Sequence, residues 1–131
     1  QRRDLNREKF NLENLILVLK NSNSNASRNL KCLKNAMKVR SNLRAFHPCS
    51  NMKCLSKDRS DILVIKRGND FNSIWAIHNF TENKLDFLLN DDETFNSRNE
   101  NVQFRDYLTG KKYNSLSMVL EPFQVIWLGF K

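Results

Sequence analysis

His47, Cys49 and Cys54 fall within eight residues and are the densest set of histidine and cysteine side chains in the sequence. A structural zinc site closes with four ligands, usually delivered as closely spaced pairs. Here a fourth ligand is missing, no CxxC pair occurs, and the spacing fits no zinc module, so neither metal nor cofactor is expected. The three cysteines, Cys32, Cys49 and Cys54, are an odd number. They read as free thiols of a reducing compartment, which makes the cytoplasm the expected location. His47 and His78 are the only histidines, and neither stands at a recognisable spacing from a Ser or Cys nucleophile. Each reads as a packed or surface residue rather than a general base. Asp91-Asp92-Glu93 reads as a loop tip, whereas paired-carboxylate catalysis needs carboxylates held on rigid elements. With 3 glycines against 19 asparagines, and neither GxGxxG nor a Walker loop, no phosphate cradle is present. Asn25-Ala-Ser27 and Asn79-Phe-Thr81 match the glycosylation sequon but carry little weight without a secretory signal.

The elements that would have to hold these residues divide into a basic half and a near-neutral half. Residues 1–60 carry 14 Lys and Arg against 4 Asp and Glu; residues 61–131 carry 8 against 10. The seam lies near Lys57–Ser60. Across 131 residues there is material for one domain with a modest core. The longest purely apolar run, Leu15–Leu19, is far short of the roughly 20 residues of a spanning helix, so no membrane contact is expected. The chain begins at Gln1 inside a charged stretch with no targeting segment, and it reads as a fragment whose N-terminal part is missing.

The basic half reads as helical. Asn11 can cap a helix that places Leu12, Leu15, Ile16 and Leu19 on one face. The Asn/Ser run from Asn21 to Asn25 ends it by competing for backbone hydrogen bonds. A second helix is expected from about Ala26 to Arg44, with Leu30, Leu33, Ala36, Met37 and Leu43 on one arc and Lys31, Lys34 and Lys38 opposite. Arg40 and Arg44 fall inside the apolar arc, where they must snorkel or find a buried partner. Phe46-His47-Pro48 stops the helix, because a residue preceding proline is pushed out of the α region.

The second half reads as short strands. Asp61–Arg67, a Gly68-Asn69-Asp70 turn and Ser73–Asn79 form a hairpin pattern. Lys84–Leu89, Gln103–Leu108, Leu116–Leu120 and Phe123–Leu128 follow, with turns at Thr109-Gly110 and Glu121-Pro122. Closely spaced strands without intervening helices imply an antiparallel sheet and an α+β class. Trp75, Phe80, Phe87, Phe104, Tyr107, Phe123 and Trp127 fall at strand positions and read as core. The lysine face of the second helix reads as a solvated face, since no aromatics alternate with its bases; a basic nucleic-acid-binding module is thus the unfavoured reading of a different class.

Five stretches, in order along the chain, resemble the C-terminal end of the alpha-amylase superfamily in its sucrose phosphorylase branch. Arg3-Asp4-Leu5-Asn6-Arg7 resembles the segment after the last barrel strand. Arg40-Ser-Asn-Leu-Arg-Ala-Phe46-His47-Pro48 resembles the exit of the last barrel helix. Ile77-His-Asn79-Phe-Thr81 resembles a strand end of the C-terminal sheet. Arg105-Asp-Tyr-Leu-Thr-Gly110 and Leu120-Glu-Pro-Phe-Gln-Val-Ile-Trp127-Leu128 resemble the closing strands of that sheet, leaning slightly toward the glucosylglycerate phosphorylase-like members.

The resemblance implies an α+β fragment. Residues 1–48 would be the last loop and helices of a catalytic (β/α)8 barrel, 49–60 a linker, and 61–131 a C-terminal antiparallel β domain. It also implies a glycosyltransferase, a retaining phosphorylase acting on sucrose or a related α-glucoside with inorganic phosphate to give glucose 1-phosphate. Such a reaction uses two carboxylates roughly 5 Å apart. In the family both stand upstream of these residues; Asp4, Asp58 and Asp106 do not match them, so no catalytic residue is expected here. The resemblance assigns one binding role, to Arg3, whose guanidinium would hold a glucosyl hydroxyl together with a barrel aspartate. Asn6 and Arg7 would order the loop. An amylosucrase-like or α-glucoside-hydrolysing relative is the alternative within the superfamily. The fragment by itself is expected to be inactive, with possible association through the helix face that would contact the barrel.

Overall fold

The computed structural model describes residues 11–56, 58–90, 95 and 103–131. The chain divides into two compact units, residues 1–38 and 39–131.

In the first unit, α1 (Leu12–Lys20) starts where its cap predicts. The Asn11 side-chain oxygen accepts from the amides of Glu13 at 2.9 Å and Asn14 at 3.2 Å. Glu13 in the first turn and Lys20 in the last suit the helix dipole. The Asn/Ser run then makes the turn as expected: Ser24 Oγ donates to the Val18 carbonyl at 2.7 Å and accepts from the Ser27 amide at 3.1 Å. That second bond caps α2 (Asn25–Asn42). No residue of either helix is buried. Leu33 is 58% and Met37 62% exposed, and Arg40 and Arg44 are exposed as well. α2 stops two residues before the expected Arg44. Leu43 turns extended and Arg44–Phe46 tighten into a 3₁₀ turn ahead of His47-Pro48. No described helix is long and apolar enough to cross a membrane.

The second unit holds eight described strands: β1 (Met52–Cys54), β2 (Ile62–Arg67), β3 (Ile74–Asn79), β4 (Leu85–Leu88), β5 (Phe104–Asp106), β6 (Lys112–Tyr113), β7 (Ser117–Leu120) and β8 (Val125–Phe130). All pairings are antiparallel, so the helices-then-sheet α+β layout expected from the sequence is the one observed. Six strands form one sheet in the order β1-β2-β3-β8-β5-β6, and β4 pairs with β7 in a second. The β2–β3 hairpin runs in register from Ile62 opposite Asn79 to Arg67 opposite Ile74. Its turn depends on Gly68, whose φ is +79° and where an added Cβ would lie 2.6 Å from the Asn72 carbonyl oxygen.

Two details of the strand layout differ from the sequence expectation. Met52–Cys54, inside the expected linker 49–60, is an edge strand on β2. The Glu121-Pro122 turn joins no hairpin: β7 pairs with β4 and β8 with β3 and β5, so the turn carries the chain from one sheet to the other.

The core lies between the two sheets. Alternation puts Ile62 and Val64 of β2, Trp75 and Ile77 of β3, Ile126 and Leu128 of β8 and Phe104 of β5 on one face. Phe87, Met118 and Leu120 of the small sheet complete the same cluster, with Leu89. Trp75 is fully buried, with Phe95 stacked on it at 5.3 Å and Phe104 and Phe130 edge-on. Of the aromatics assigned to the core, Phe80 and Phe123 are instead exposed, since both fall just outside the paired strands, and Tyr107 and Trp127 are half-buried outside the core cluster.

Candidate functional site

Two buried polar side chains dominate the second unit, and both belong to stretches that carry the family resemblance. Asn79 ends β3 and is 2% exposed. Its oxygen accepts from the Thr81 amide and hydroxyl, each at 2.9 Å, and its Nδ2 donates to the carbonyls of Asn83 at 2.8 Å and Glu121 at 2.9 Å. An amide side chain has two donors and two acceptor lone pairs, and all four are engaged. Asn79 thereby orders the turn after its own strand and ties it to the connection 42 residues later. The sequon at Asn79-Phe-Thr81 is thus occupied by a structural joint whose amide nitrogen is buried. Asn25, the other sequon asparagine, is exposed at the start of α2, with its Oδ1 accepting from Arg28 Nη2 at 2.6 Å.

Asp106 ends β5 and is 1% exposed. Its Oδ1 accepts from the amides of Leu108 at 3.1 Å and Trp127 at 3.0 Å, and its Oδ2 from the Thr109 hydroxyl at 2.5 Å. The backbone closes around it. The Gly110 amide donates to the Asp106 carbonyl at 2.7 Å and the Tyr107 amide to the Trp127 carbonyl at 2.8 Å. Gly110 sits at φ +81°, a conformation that favours glycine. Both carboxylate oxygens face donors of the fold, so Asp106 holds the Asp106–Lys111 turn against β8 and is shut away from any substrate. The strand and the Thr109-Gly110 turn were legible in the sequence, but only the β5–β8 pairing reveals the carboxylate as a joint.

A third feature is the outer face of the six-stranded sheet, which presents Leu63 and Ile65 of β2, Ile74, Ala76 and His78 of β3, and Val125 and Trp127 of β8. A sheet with one wet face alternates apolar and polar residues, whereas on these three strands the outer face is mostly apolar as well, with Arg67 and His78 as its polar members. One end of the outer face is covered by the segment after α2. Phe46 packs on Trp127 at 4.7 Å, Ala45 is buried, and Arg67 donates through Nε to the Ala45 carbonyl at 3.2 Å and through Nη2 to the His47 carbonyl at 2.8 Å. At the other end Phe80 is 57% exposed, Val125 is exposed, and His78 lies half-buried with its ring 6.1 Å from that of Phe80. Burial pushes the His78 imidazole below its usual range.

An open cleft of about 530 Å³ runs between residues 44–51 and 68–72, with Arg44, Cys49 and Asp70 on its walls. It brings one thiol, one guanidinium and one carboxylate to a solvent-washed surface. It contains neither a carboxylate pair nor a histidine to activate the thiol. The His47 ring turns to its own loop, where Nδ1 accepts from the Cys49 amide at 3.2 Å. No group of three His, Cys, Asp or Glu that could hold a metal occurs among the described residues. Arg3, the one predicted binding residue, lies outside the described residues, as do Asp4, Asn6, Arg7 and the Asp91-Asp92-Glu93 run.

No protein-family model matches this sequence, and no curated protein matches it.

Proposed function

We propose that this chain is the C-terminal part of a retaining glycoside phosphorylase of the sucrose phosphorylase type, and that its β unit supports a catalytic barrel. The single observation that carries the reading is the apolar outer face of the six-stranded sheet. It is built to be covered, and the chain leaving α2 already seats Ala45 and Phe46 on it. A second argument is consistent with it. Asn79 and Asp106 sit in the resemblance stretches and serve as joints, which suits a supporting domain with no reaction of its own.

In this reading the two carboxylates of the double displacement stand on barrel strands upstream, and the glucosyl unit passes from a carboxylate to inorganic phosphate to give glucose 1-phosphate. Arg3 contributes at the last barrel loop. Its fork-shaped guanidinium holds a sugar hydroxyl and a barrel aspartate together. An amylosucrase-like or hydrolysing enzyme would use the same support, because the choice between phosphate, sugar and water as acceptor is made upstream.

The test starts from the coding sequence upstream of Gln1. An open frame of roughly 250 residues, with carboxylates at strand ends, is expected. The whole product, given sucrose or glucosylglycerate with phosphate, should then release glucose 1-phosphate, while the 131-residue chain alone releases none. Release of free glucose independent of phosphate would move the assignment to the hydrolysing alternative. A stop codon a few dozen residues upstream would overturn the enzymatic reading of the intact protein.

A further inference from the structure

We draw no further inference here: the strongest candidate, the exposed apolar end of the outer sheet face around Phe80, Val125 and His78, belongs to the docking surface already proposed, and nothing in the structure shows what else covers it.

Discussion

Leu12, Leu17, Leu33 and Met37 on the two helices stay exposed, whereas Trp75, Ile77, Ile126 and Leu128 in the sheet are sealed from solvent. Both regions are amphipathic in sequence, yet among the described residues only the β unit buries its apolar side. α1 has nine residues, below the roughly 12–15 at which an isolated helix becomes marginal in water. Its order rests on local devices: the Asn11 cap, the Ser24 link and favourable end charges. The β unit rests on contacts between residues far apart in sequence, such as Val64 against Ile77 and Ile77 against Ile126. The difference teaches that one chain can combine a segment stabilised locally with a unit stabilised by burial, and that the two should respond to different substitutions.

The largest effect should come from the centre of the burial. Trp75→Ala removes the ring on which Phe95 stacks and Phe104 and Phe130 pack, leaving a large cavity. A loss of about 3–5 kcal/mol is expected, a large share of what a domain of this size possesses. Urea unfolding followed by far-ultraviolet circular dichroism would show the strand signal lost at much lower denaturant. A midpoint within experimental error of the parent would mean that the two sheets are not packed around this ring.

Asp106→Ala comes next. It strands the Trp127 and Leu108 amides and the Thr109 hydroxyl without their acceptor, at an expected cost of about 2–3 kcal/mol. Asp106→Asn keeps one acceptor oxygen and should lose less. Equal losses for the two variants would show that the carboxylate is not the shared acceptor described here. Either substitution acts on the β unit and should leave helix content near its parent value.

Asn11→Ala tests the other side of the comparison. Removing the cap should cost about 1 kcal/mol of local helix stability. Amide hydrogen exchange in residues 12–20 should quicken several-fold, with exchange in β3 and β8 unchanged. Matching acceleration in those strands would show that the helix and the sheet unfold as one unit and would end the distinction drawn above.

Legibility followed the same division. The Asn11 cap, the Asn/Ser turn and the proline-directed stop were readable because each is fixed by residues close in sequence. The β2, β3 and β8 segments were readable because each is a run of apolar and β-branched or aromatic residues bounded by turn residues. β1 and β6 were not: Met52–Cys54 and Lys112-Tyr113 have no pattern of their own and become strands only because β2 and β5 offer a free edge. The assignment of β7 and β8 to different sheets was equally hidden, since the Glu121-Pro122 signal marks a turn without saying which strand pairs with which. Of the candidate site, the stretches around Asn79 and Asp106 stood out by resemblance. Their roles as joints depend on partners 42 and 21 residues away, Glu121 and Trp127, which no local pattern specifies.

The smallest predicted effect separates the two faces of the sheet. His78 lies on the outer face between Leu63 and Val125, its register partners, and burial holds its imidazole below the ordinary value. The unfolded chain therefore binds a proton that the folded chain resists, in the range just below the unfolded value of about 6.5. Folding stability must then fall as the pH drops from 7 toward 5 and recover as it rises. The nearby Asp61, whose carbonyl accepts from the Phe80 amide, is held below the usual carboxylate range by its hydrogen bond with Arg59, so its titration falls below this window. His78→Gln should flatten this part of the stability–pH curve while changing stability little at pH 7.5, as read from urea midpoints at several pH values. Parallel curves for parent and variant would place His78 in free solvent.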